Sequence, residues 1–464
     1  MVKFPNVVLI STYDLGRQPY SIALASALVG RKGAKVCCND LAVEDLASEN
    51  ISNADLIALH LPMHTATRLA VEVLPRIREL NQCATIVCYG NYAVMNKPYL
   101  ISMGVDVVLG GEAETALADL CSAPMVVKQS KAANSIYPQR QRYVLPDRTG
   151  LGELSRYSHL ILPSGVPKVA GYTESTRGCK HVCKHCPVVP VYEGRFFAVD
   201  RDLVMQDIEQ QIEMGAKHIT FGDPDFFNGP KHGIRVVEML SKRHPGLTYD
   251  VTIKVEHLLG YAELLPILRE TGCLFVTTAV ESFDDQILKI LDKGHTRADF
   301  AEAVEICSKL NLNLVPTFVA FTPWTTPKTY LEFLREIVHF DLISRVPVVQ
   351  YSLRLLVPRG SLMLDQDAFR EFVGAYDPDA LSYTWNYQSS SVGPFEAEVG
   401  RAVEVFVEAG LPAVDAFSEL WRLVHHENEI QAPRLPSPTS LSLPSMSEPW
   451  YCCSEPTKAQ LSRL

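Results

Sequence analysis

The chain has 464 residues, a net charge of −10 at pH 7, and 47% hydrophobic against 21% charged residues, which predicts a globular protein of two or three domains. The acidic charge argues against a general nucleic-acid binder, and no segment approaches the roughly 20 apolar residues that span a bilayer. The N-terminal apolar run is too short for a signal peptide, so twelve cysteines indicate a reducing cytoplasm.

The first 124 residues alternate short apolar runs with helical patterns. This alternation predicts a Rossmann-like parallel sheet covered by helices on both faces, with ligands beyond the carboxyl ends of the strands. No GxGxxG sequence is present, so a dinucleotide is not indicated. Residues 125–165 have little periodicity and are predicted to be a linker. The runs that we interpret as buried strands are 7–10, 34–38, 56–61, 85–88 and 105–109.

Strand and helix patterns alternate again over residues 166–375, for six units. Six units predict a partial (β/α)6 barrel of the TIM type, whose active site lies at the carboxyl ends of the strands. Residues 376–430 are predicted to form a small helical region, and residues 431–464 a flexible tail rich in Pro and Ser. The predicted barrel strands are 168–172, 218–222, 249–255, 273–280, 314–321 and 348–356.

Cys179, Cys183 and Cys186 follow the first barrel strand with the spacing CxxxCxxC. Three thiolates this close together can hold a [4Fe–4S] cube on three of its irons and leave the fourth iron open to a substrate. A structural zinc site is the alternative, because His181 or His185 could complete a Cys3His set. A disulfide is not expected in a protein without secretory features.

With this cysteine run at the head of a barrel, the chain resembles the radical S-adenosylmethionine (SAM) superfamily. The resemblance implies a [4Fe–4S] cluster on the three cysteines, SAM as the second cofactor, and an electron donor such as flavodoxin or ferredoxin. The turn at 221–226, FGDPDF, resembles the glycine-rich turn that contacts the SAM amino group in this family. The implied SAM-contacting residues are His185, Gly222, Asp223, Glu281, Ser282 and Arg354.

Three of these residues also have structural interpretations. Gly222 and Asp223 belong to a Gly-Asp-Pro-Asp run, which by itself is a common turn. Arg354 could pair with the SAM carboxylate, since a planar guanidinium suits a carboxylate, or it could form a structural ion pair. Both readings of Arg354 stay open at this point.

The N-terminal domain resembles the cobalamin-binding domain that precedes the barrel in one radical SAM class. The DxHxxG signature of that domain is absent, because residues 11–16 contain no histidine. Tyr89 also replaces one of the glycines usual at that strand end. Cobalamin is therefore a possible third cofactor, but a vestigial domain that no longer binds it is favoured.

The tail carries the adjacent pair Cys452 and Cys453 in the run WYCCSEP, which resembles the radical SAM proteins with a CUAEP or CCAEP tail. Consecutive cysteines do not easily form a disulfide, whereas together they can hold a soft, thiophilic centre. The chain is also similar to radical SAM enzymes of arsinothricin biosynthesis. That resemblance implies transfer of a 3-amino-3-carboxypropyl group from SAM to arsenite bound by Cys452 and Cys453.

Two other functions remain open from the sequence. One is a radical SAM enzyme that forms a 5′-deoxyadenosyl radical, or transfers a methyl group with cobalamin, on an unknown organic substrate. The other is a non-enzymatic protein that uses its cysteines to bind zinc or to sense redox state. In each case we expect a cytoplasmic protein that binds small molecules and neither nucleic acid nor membrane.

Overall fold

The computed structural model describes residues 5–122, 136–137, 140–437, 443–448 and 453–464. Two sheets of mainly parallel strands lie in this part of the chain, the first within residues 6–137 and the second mostly within residues 159–318. Their carboxyl edges face a common cavity. The α/β class and the parallel sheets predicted from the alternating pattern are confirmed. In the described residues, no helix combines the length and the apolar character needed to cross a membrane.

The N-terminal domain is a six-stranded parallel sheet in the order β2-β1-β3-β4-β5-β6. Its central strands are buried on both faces, which is why they appear in the sequence as continuous apolar runs. The elements are β1 Asn6–Ser11, α1 Tyr20–Arg31, β2 Lys35–Asp40, α2 Ser48–Ser52, β3 Leu56–His60, α3 His64–Leu80, β4 Thr85–Tyr89, α4 Asn91–Met95, α5 Lys97–Ser102, β5 Val107–Gly111, α6 Glu114–Leu120 and β6 Ile136–Tyr137.

The described part of the predicted linker is packed between the two domains. Arg148 is buried, and its guanidinium contacts Asp207 Oδ1 at 2.7 Å on the barrel side and Gln18 Oε1 at 2.7 Å on the N-terminal side. Strand β7, His159–Ile161, adds an antiparallel strand to the barrel sheet. The sequence shows no periodicity here because the chain is irregular, although it is buried. Burial of an irregular segment cannot be recognised from hydrophobic periodicity.

The barrel sheet has the order β14-β13-β12-β11-β8, all parallel, and continues antiparallel through β7 to β17. A small antiparallel pair, β9 and β10, stands beside its carboxyl edge. The elements are β8 Pro167–Thr173, β9 Thr176–Gly178, α7 Val189–Tyr192, β10 Phe196–Ala198, α8 Arg201–Glu213, β11 His218–Phe221, α9 Pro230–Arg243, β12 Thr248–Thr252, α10 Val255–Gly260, α11 Leu265–Glu270, β13 Cys273–Glu281, α12 Asp285–Ile290, α13 Arg297–Lys309, β14 Asn313–Phe318 and α14 Pro327–His339.

The sixth barrel position differs from the strand predicted at 348–356. Val348–Tyr351 forms a 3₁₀ turn, and one parallel bridge joins Phe321 to Arg354. Two backbone bonds hold this bridge, Phe321 N to Leu353 O at 2.9 Å and Leu355 N to Phe321 O at 2.8 Å. Prolines at 347 and 358 flank the segment, and a proline cannot donate to a strand ladder.

The C-terminal region adds a hairpin and two long helices to the outside of the barrel. The predicted helical region is present, preceded by the hairpin. The tail runs back across both domains, since β17 pairs with β7 and α18 lies near α3. The elements are α15 Asp367–Arg370, β15 Val373–Asp377, β16 Ser382–Trp385, α16 Val392–Glu408, α17 Ala413–Glu427, β17 Ser445–Met446 and α18 Lys458–Leu461.

Candidate active site

A cavity of about 750 Å³ lies between the carboxyl edges of the two parallel sheets. Asp14, His60 and Tyr89 line it from the N-terminal domain, and the three motif cysteines line it from the barrel. Parallel α/β sheets and barrels bind ligands at this edge, so the location agrees with the site predicted from sequence. The tail supplies a third wall, which includes Cys453.

The cysteine loop leaves β9 through a turn that requires glycine. Gly178 has φ of 77°, and a Cβ there would lie 2.5 Å from both the Arg195 carbonyl oxygen and the Tyr192 ring. Asn228 Oδ1 then accepts a hydrogen bond from the Lys180 amide at 3.1 Å and lies 3.7 Å from Cys179 Sγ. These contacts hold the start of the loop against the barrel wall.

The three thiols are sheltered, and their electrostatics suit metal binding better than free thiolate chemistry. Burial raises the pKa of Cys179 to about 11 and that of Cys186 to about 12. Lys254 Nζ lies 3.7 Å from Cys183 Sγ, so a cation faces the group that must become a thiolate. A bound metal cluster deprotonates its thiols, and the residues present therefore fit a [4Fe–4S] cluster.

The zinc alternative for this loop finds less support in the geometry. A zinc ion that holds three sulfurs at about 2.3 Å keeps them about 3.8 Å apart. Among the described residues, the three cysteines are not a group whose ligand atoms all lie within 4.8 Å of one another. Both histidines proposed as a fourth ligand face carboxylates instead: His181 Nε2 lies 3.3 Å from Asp225 Oδ2, and His185 Nε2 lies 3.2 Å from Glu281 Oε1.

Gly222 and Asp223 lie at the end of β11 and line the cavity. A Cβ on Gly222 would collide with the Tyr172 hydroxyl, so glycine is required for the close approach of this turn. The Asp223 carboxylate accepts from Ser175 Oγ at 2.7 Å and Thr176 Oγ1 at 2.6 Å. Its carboxylate therefore positions the strand before the cysteines, and contact of this turn with SAM stays a prediction.

Glu281, at the end of β13, is a buried carboxylate in the barrel side of the cavity lining. Its Oε1 lies 3.2 Å from both Lys293 Nζ and His185 Nε2, whereas its Oε2 has no hydrogen-bond partner among the described residues. Burial would raise its pKa, but Lys293 and His185 together outweigh this effect and hold the pKa at about 2. Ser282, next along the chain, accepts from the Asp284 amide at 3.0 Å instead.

Arg354 lies at the edge of the cavity with about half of its side chain exposed. Its guanidinium stacks over the Trp385 ring at 4.4 Å, and its Nε is 3.6 Å from Glu396 Oε1. These contacts give the side chain a structural role at the barrel rim. Its pairing with a SAM carboxylate stays a prediction.

Arg177 was not singled out from the sequence, although it stands inside the cysteine run. The structure buries it among three carboxylates, with Glu112 at 3.2 Å, Glu114 at 2.9 Å and Glu174 at 2.9 Å. Burial, opposed in part by Arg177, raises the pKa of Glu174 to about 8, so this group is largely protonated at neutral pH. This group of four charged residues joins the two sheets. Its signal in the sequence is limited to the charged residues that flank the cysteine motif.

The tail is anchored at two points beside the cavity. Glu455 pairs with buried His64 at 2.7 Å and with Arg68 at 2.9 Å. Thr65 Oγ1 donates to the Ser454 carbonyl at 2.6 Å, which fixes the residue after Cys453. These parts of the tail are docked, in contrast to the flexible connector that was predicted. Cys452, the other predicted arsenic ligand, lies outside the described residues.

The docked tail also bears on cobalamin. Glu448 lies across the carboxyl end of β1, where the Tyr13 hydroxyl donates to its Oε1 at 3.0 Å. A Cβ on Gly16 would lie 2.9 Å from Glu448 Cγ, so the tail packs directly on this loop. The tail therefore covers the edge of the N-terminal sheet at the end of β1, whereas His60 and Tyr89, at the ends of β3 and β4, line the open cavity. The missing DxHxxG histidine leaves no lower ligand of the usual kind for a cobalamin there.

Comparison with known proteins agrees with this site. Residues 173–337 match the profile of the radical SAM superfamily, which confirms the predicted [4Fe–4S] cluster and SAM as cofactors. Over 133 residues the chain is 28% identical to a bacteriochlorophyllide d C-12(1)-methyltransferase of Chlorobaculum tepidum, and the match covers 28% of each protein. The chain thus spans less than a third of that relative's length.

Two solved structures share the fold of both domains. The cobalamin-dependent SAM radical enzyme OxsB, with aqua-cobalamin and SAM bound, gives a TM-score of 0.70 at 16% identity, over 91% of this chain and 73% of that one. The radical SAM methyltransferase TsrM from Kitasatospora setae gives 0.64 at 15% identity, over 94% and 92%. At these identities the likeness supports the two-domain fold. The non-enzymatic zinc alternative is not favoured by any of these matches.

Proposed function

We propose that this protein, whose residues 173–337 match the radical SAM superfamily, reductively cleaves SAM and transfers a SAM-derived group to an acceptor held by its own tail. One observation carries the proposal: Cys453 lines the same cavity as Cys179, Cys183 and Cys186. A soft ligand on the docked tail, in the cavity that the motif cysteines also line, supports a thiophilic acceptor. When bound, the reduced cluster supplies the electron that breaks a carbon–sulfur bond of SAM.

The residues of the wall have distinct tasks in this proposal. The open Oε2 of Glu281 is available to accept a hydrogen bond from SAM, while Lys293 keeps the carboxylate ionised. Lys254 supports the thiolate of Cys183 by its positive charge. Gly222 leaves room at the strand end for a ligand to approach the backbone.

For the transferred group we propose 3-amino-3-carboxypropyl, and for the acceptor arsenite bound through Cys452 and Cys453. The sulfur–Cγ bond of SAM breaks and 5′-methylthioadenosine is released, while a carbon–arsenic bond replaces one arsenic–oxygen bond, whose oxygen leaves as hydroxide. The arsenic stays trivalent, so the net step consumes two electrons, both from the external donor. Thiolates suit trivalent arsenic because both partners are soft. A flavodoxin or ferredoxin is the proposed electron donor.

A cobalamin-assisted methyl transfer is the second candidate, favoured by the likeness to OxsB and TsrM. It needs space for cobalamin in the cavity at the edge of the N-terminal sheet, beside the point where Glu448 of the tail contacts Tyr13 and Gly16. The two candidates therefore differ in what occupies this edge during turnover.

The test is anaerobic turnover of the reconstituted full chain with dithionite and SAM, with and without arsenite. Arsenite-dependent 5′-methylthioadenosine and an organoarsenical product support the proposal. S-adenosylhomocysteine formed only after addition of cobalamin supports the second candidate, and 5′-deoxyadenosine as the sole product rejects both. Cys453→Ser should keep uncoupled SAM cleavage but lose the arsenical product. Cys83→Ser, an exposed thiol away from the cavity, is the matched control.

A further inference from the structure

Behind the cysteine loop, three side chains converge that the proposed reaction does not use. His181, Asp225 and His257 each offer one ligand atom, and these atoms all lie within 4.8 Å of one another. His257 Nδ1 is 2.6 Å and His181 Nε2 is 3.3 Å from Asp225 Oδ2. An ion that binds its ligands at about 2.1 Å holds them about 3.0 to 3.4 Å apart. The His181–Asp225 distance matches this spacing, and the His257–Asp225 distance needs to lengthen by about 0.4 Å for an ion to enter.

The three atoms have only one another as partners. Each is buried and, apart from the two ion pairs that the imidazoles make with Asp225 Oδ2, none has a hydrogen-bond partner among the described residues. One carboxylate oxygen therefore serves two imidazole nitrogens. Incomplete pairing of buried polar atoms is costly, and a bound ion would satisfy all three at once.

The surroundings orient these ligands as metal ligands are usually oriented. Asp225 Oδ1 accepts from the Phe227 amide at 3.0 Å, which leaves Oδ2 alone to face the two imidazoles. His181 turns its other nitrogen, Nδ1, towards Glu256 Oε2 at 3.6 Å. A carboxylate on the far nitrogen fixes the tautomer that presents the near nitrogen to an ion.

We propose that His181, Asp225 and His257 bind a divalent first-row transition ion, Zn²⁺ or Fe²⁺, distinct from the cluster. Two imidazoles and one carboxylate are a ligand set for either ion. The ion ties the cysteine loop, through His181, to the ends of the second and third barrel strands. It acts as a clamp that positions Cys179 and Cys183. The inference does not depend on which group the enzyme transfers.

The test is metal analysis of the reconstituted full-length holoenzyme. Chains reconstituted with iron and sulfide are offered one equivalent of Zn²⁺ or Fe²⁺ separately, then desalted, and zinc, iron and sulfide are measured per chain. We expect one zinc beyond about four irons, or one iron in excess of sulfide. Asp225→Asn and His257→Gln should lose this ion, Glu256→Gln should bind it about 10-fold to 100-fold more weakly, and His232→Gln should retain it.

Two further measurements keep the inference falsifiable. Cluster absorbance and circular dichroism identify a variant that fails to fold. If Asp225→Asn fails to fold, the loss of the ion is judged from His257→Gln instead. The triple variant Cys179→Ala, Cys183→Ala, Cys186→Ala should lose the four irons and still bind Zn²⁺. Absence of the extra ion in the native sequence, undiminished binding by both triad variants, or loss of zinc from the triple variant would each overturn the proposal.

Discussion

Glu281→Gln is expected to destabilise the protein because Glu281 and Lys293 form a buried ion pair. Each side chain is 4% exposed, and Oε1 lies 3.2 Å from Nζ. Burial would raise the pKa of Glu281, but Lys293 and His185 together lower it from 4.5 to about 2. That shift corresponds to about 3 kcal/mol of stability, shared between the two partners. Removal of one partner of a buried pair costs about 3 to 5 kcal/mol, which agrees in size.

The sign of the pH dependence follows from the lowered pKa. The stabilisation is complete above the ordinary glutamate pKa of 4.5 and is lost as the pH falls through about 2. Lys293 has a raised pKa for the same reason, since burial disfavours its charge and Glu281 more than compensates. The difference between native protein and Glu281→Gln should therefore shrink when the comparison is repeated at pH 3.

Urea unfolding of the anaerobically purified chain, followed by tryptophan fluorescence at pH 7.5, measures the effect. Glu281→Gln should lower the free energy of unfolding by about 3 kcal/mol, because it leaves Lys293 charged and buried. Glu281→Gln combined with Lys293→Met should recover most of the loss, and the exposed control Glu305→Gln should leave the midpoint unchanged. A loss below about 1 kcal/mol, or a double variant as unstable as the single one, would refute the reasoning.

Three other outcomes are expected. Cys179→Ala should reduce iron from about four per chain to near zero and abolish SAM cleavage, as iron analysis would show. Gly222→Ala should lower the free energy of unfolding by about 1 to 3 kcal/mol, because the added methyl group overpacks against Tyr172, and it should weaken SAM binding in calorimetry. Gly260→Ala, which has open space around it, should change neither quantity. Glu455→Ala should leave His64 without its 2.7 Å partner and weaken the docking of the tail by about 1 kcal/mol. The expected result is faster hydrogen exchange over residues 453–464, and unchanged exchange would contradict this anchoring of the tail.

Much of the site could be predicted because its signals are local in the sequence. The CxxxCxxC spacing places three thiols on one loop, and Gly222 stands directly after a short buried strand. Arg354 shows where such reasoning ends. Its residue type suits a SAM carboxylate, yet in the structure it stacks on Trp385 of β16 and pairs with Glu396 of α16, two elements 30 residues and more along the chain. Residue type alone does not identify the partner.

Periodicity and short spacings were enough to predict the two parallel sheets and the cysteine loop, because both depend on neighbours along the chain. They also carried the resemblance to the radical SAM superfamily, which residues 173–337 match. The roles of distant segments emerge from the folded arrangement alone. The tail reaches Tyr13 and His64 over more than 390 residues. His181 follows β9, Asp225 follows β11 and His257 lies in α10, so three separate segments meet at one point. Such contacts arise from packing, which brings together residues that no local pattern connects.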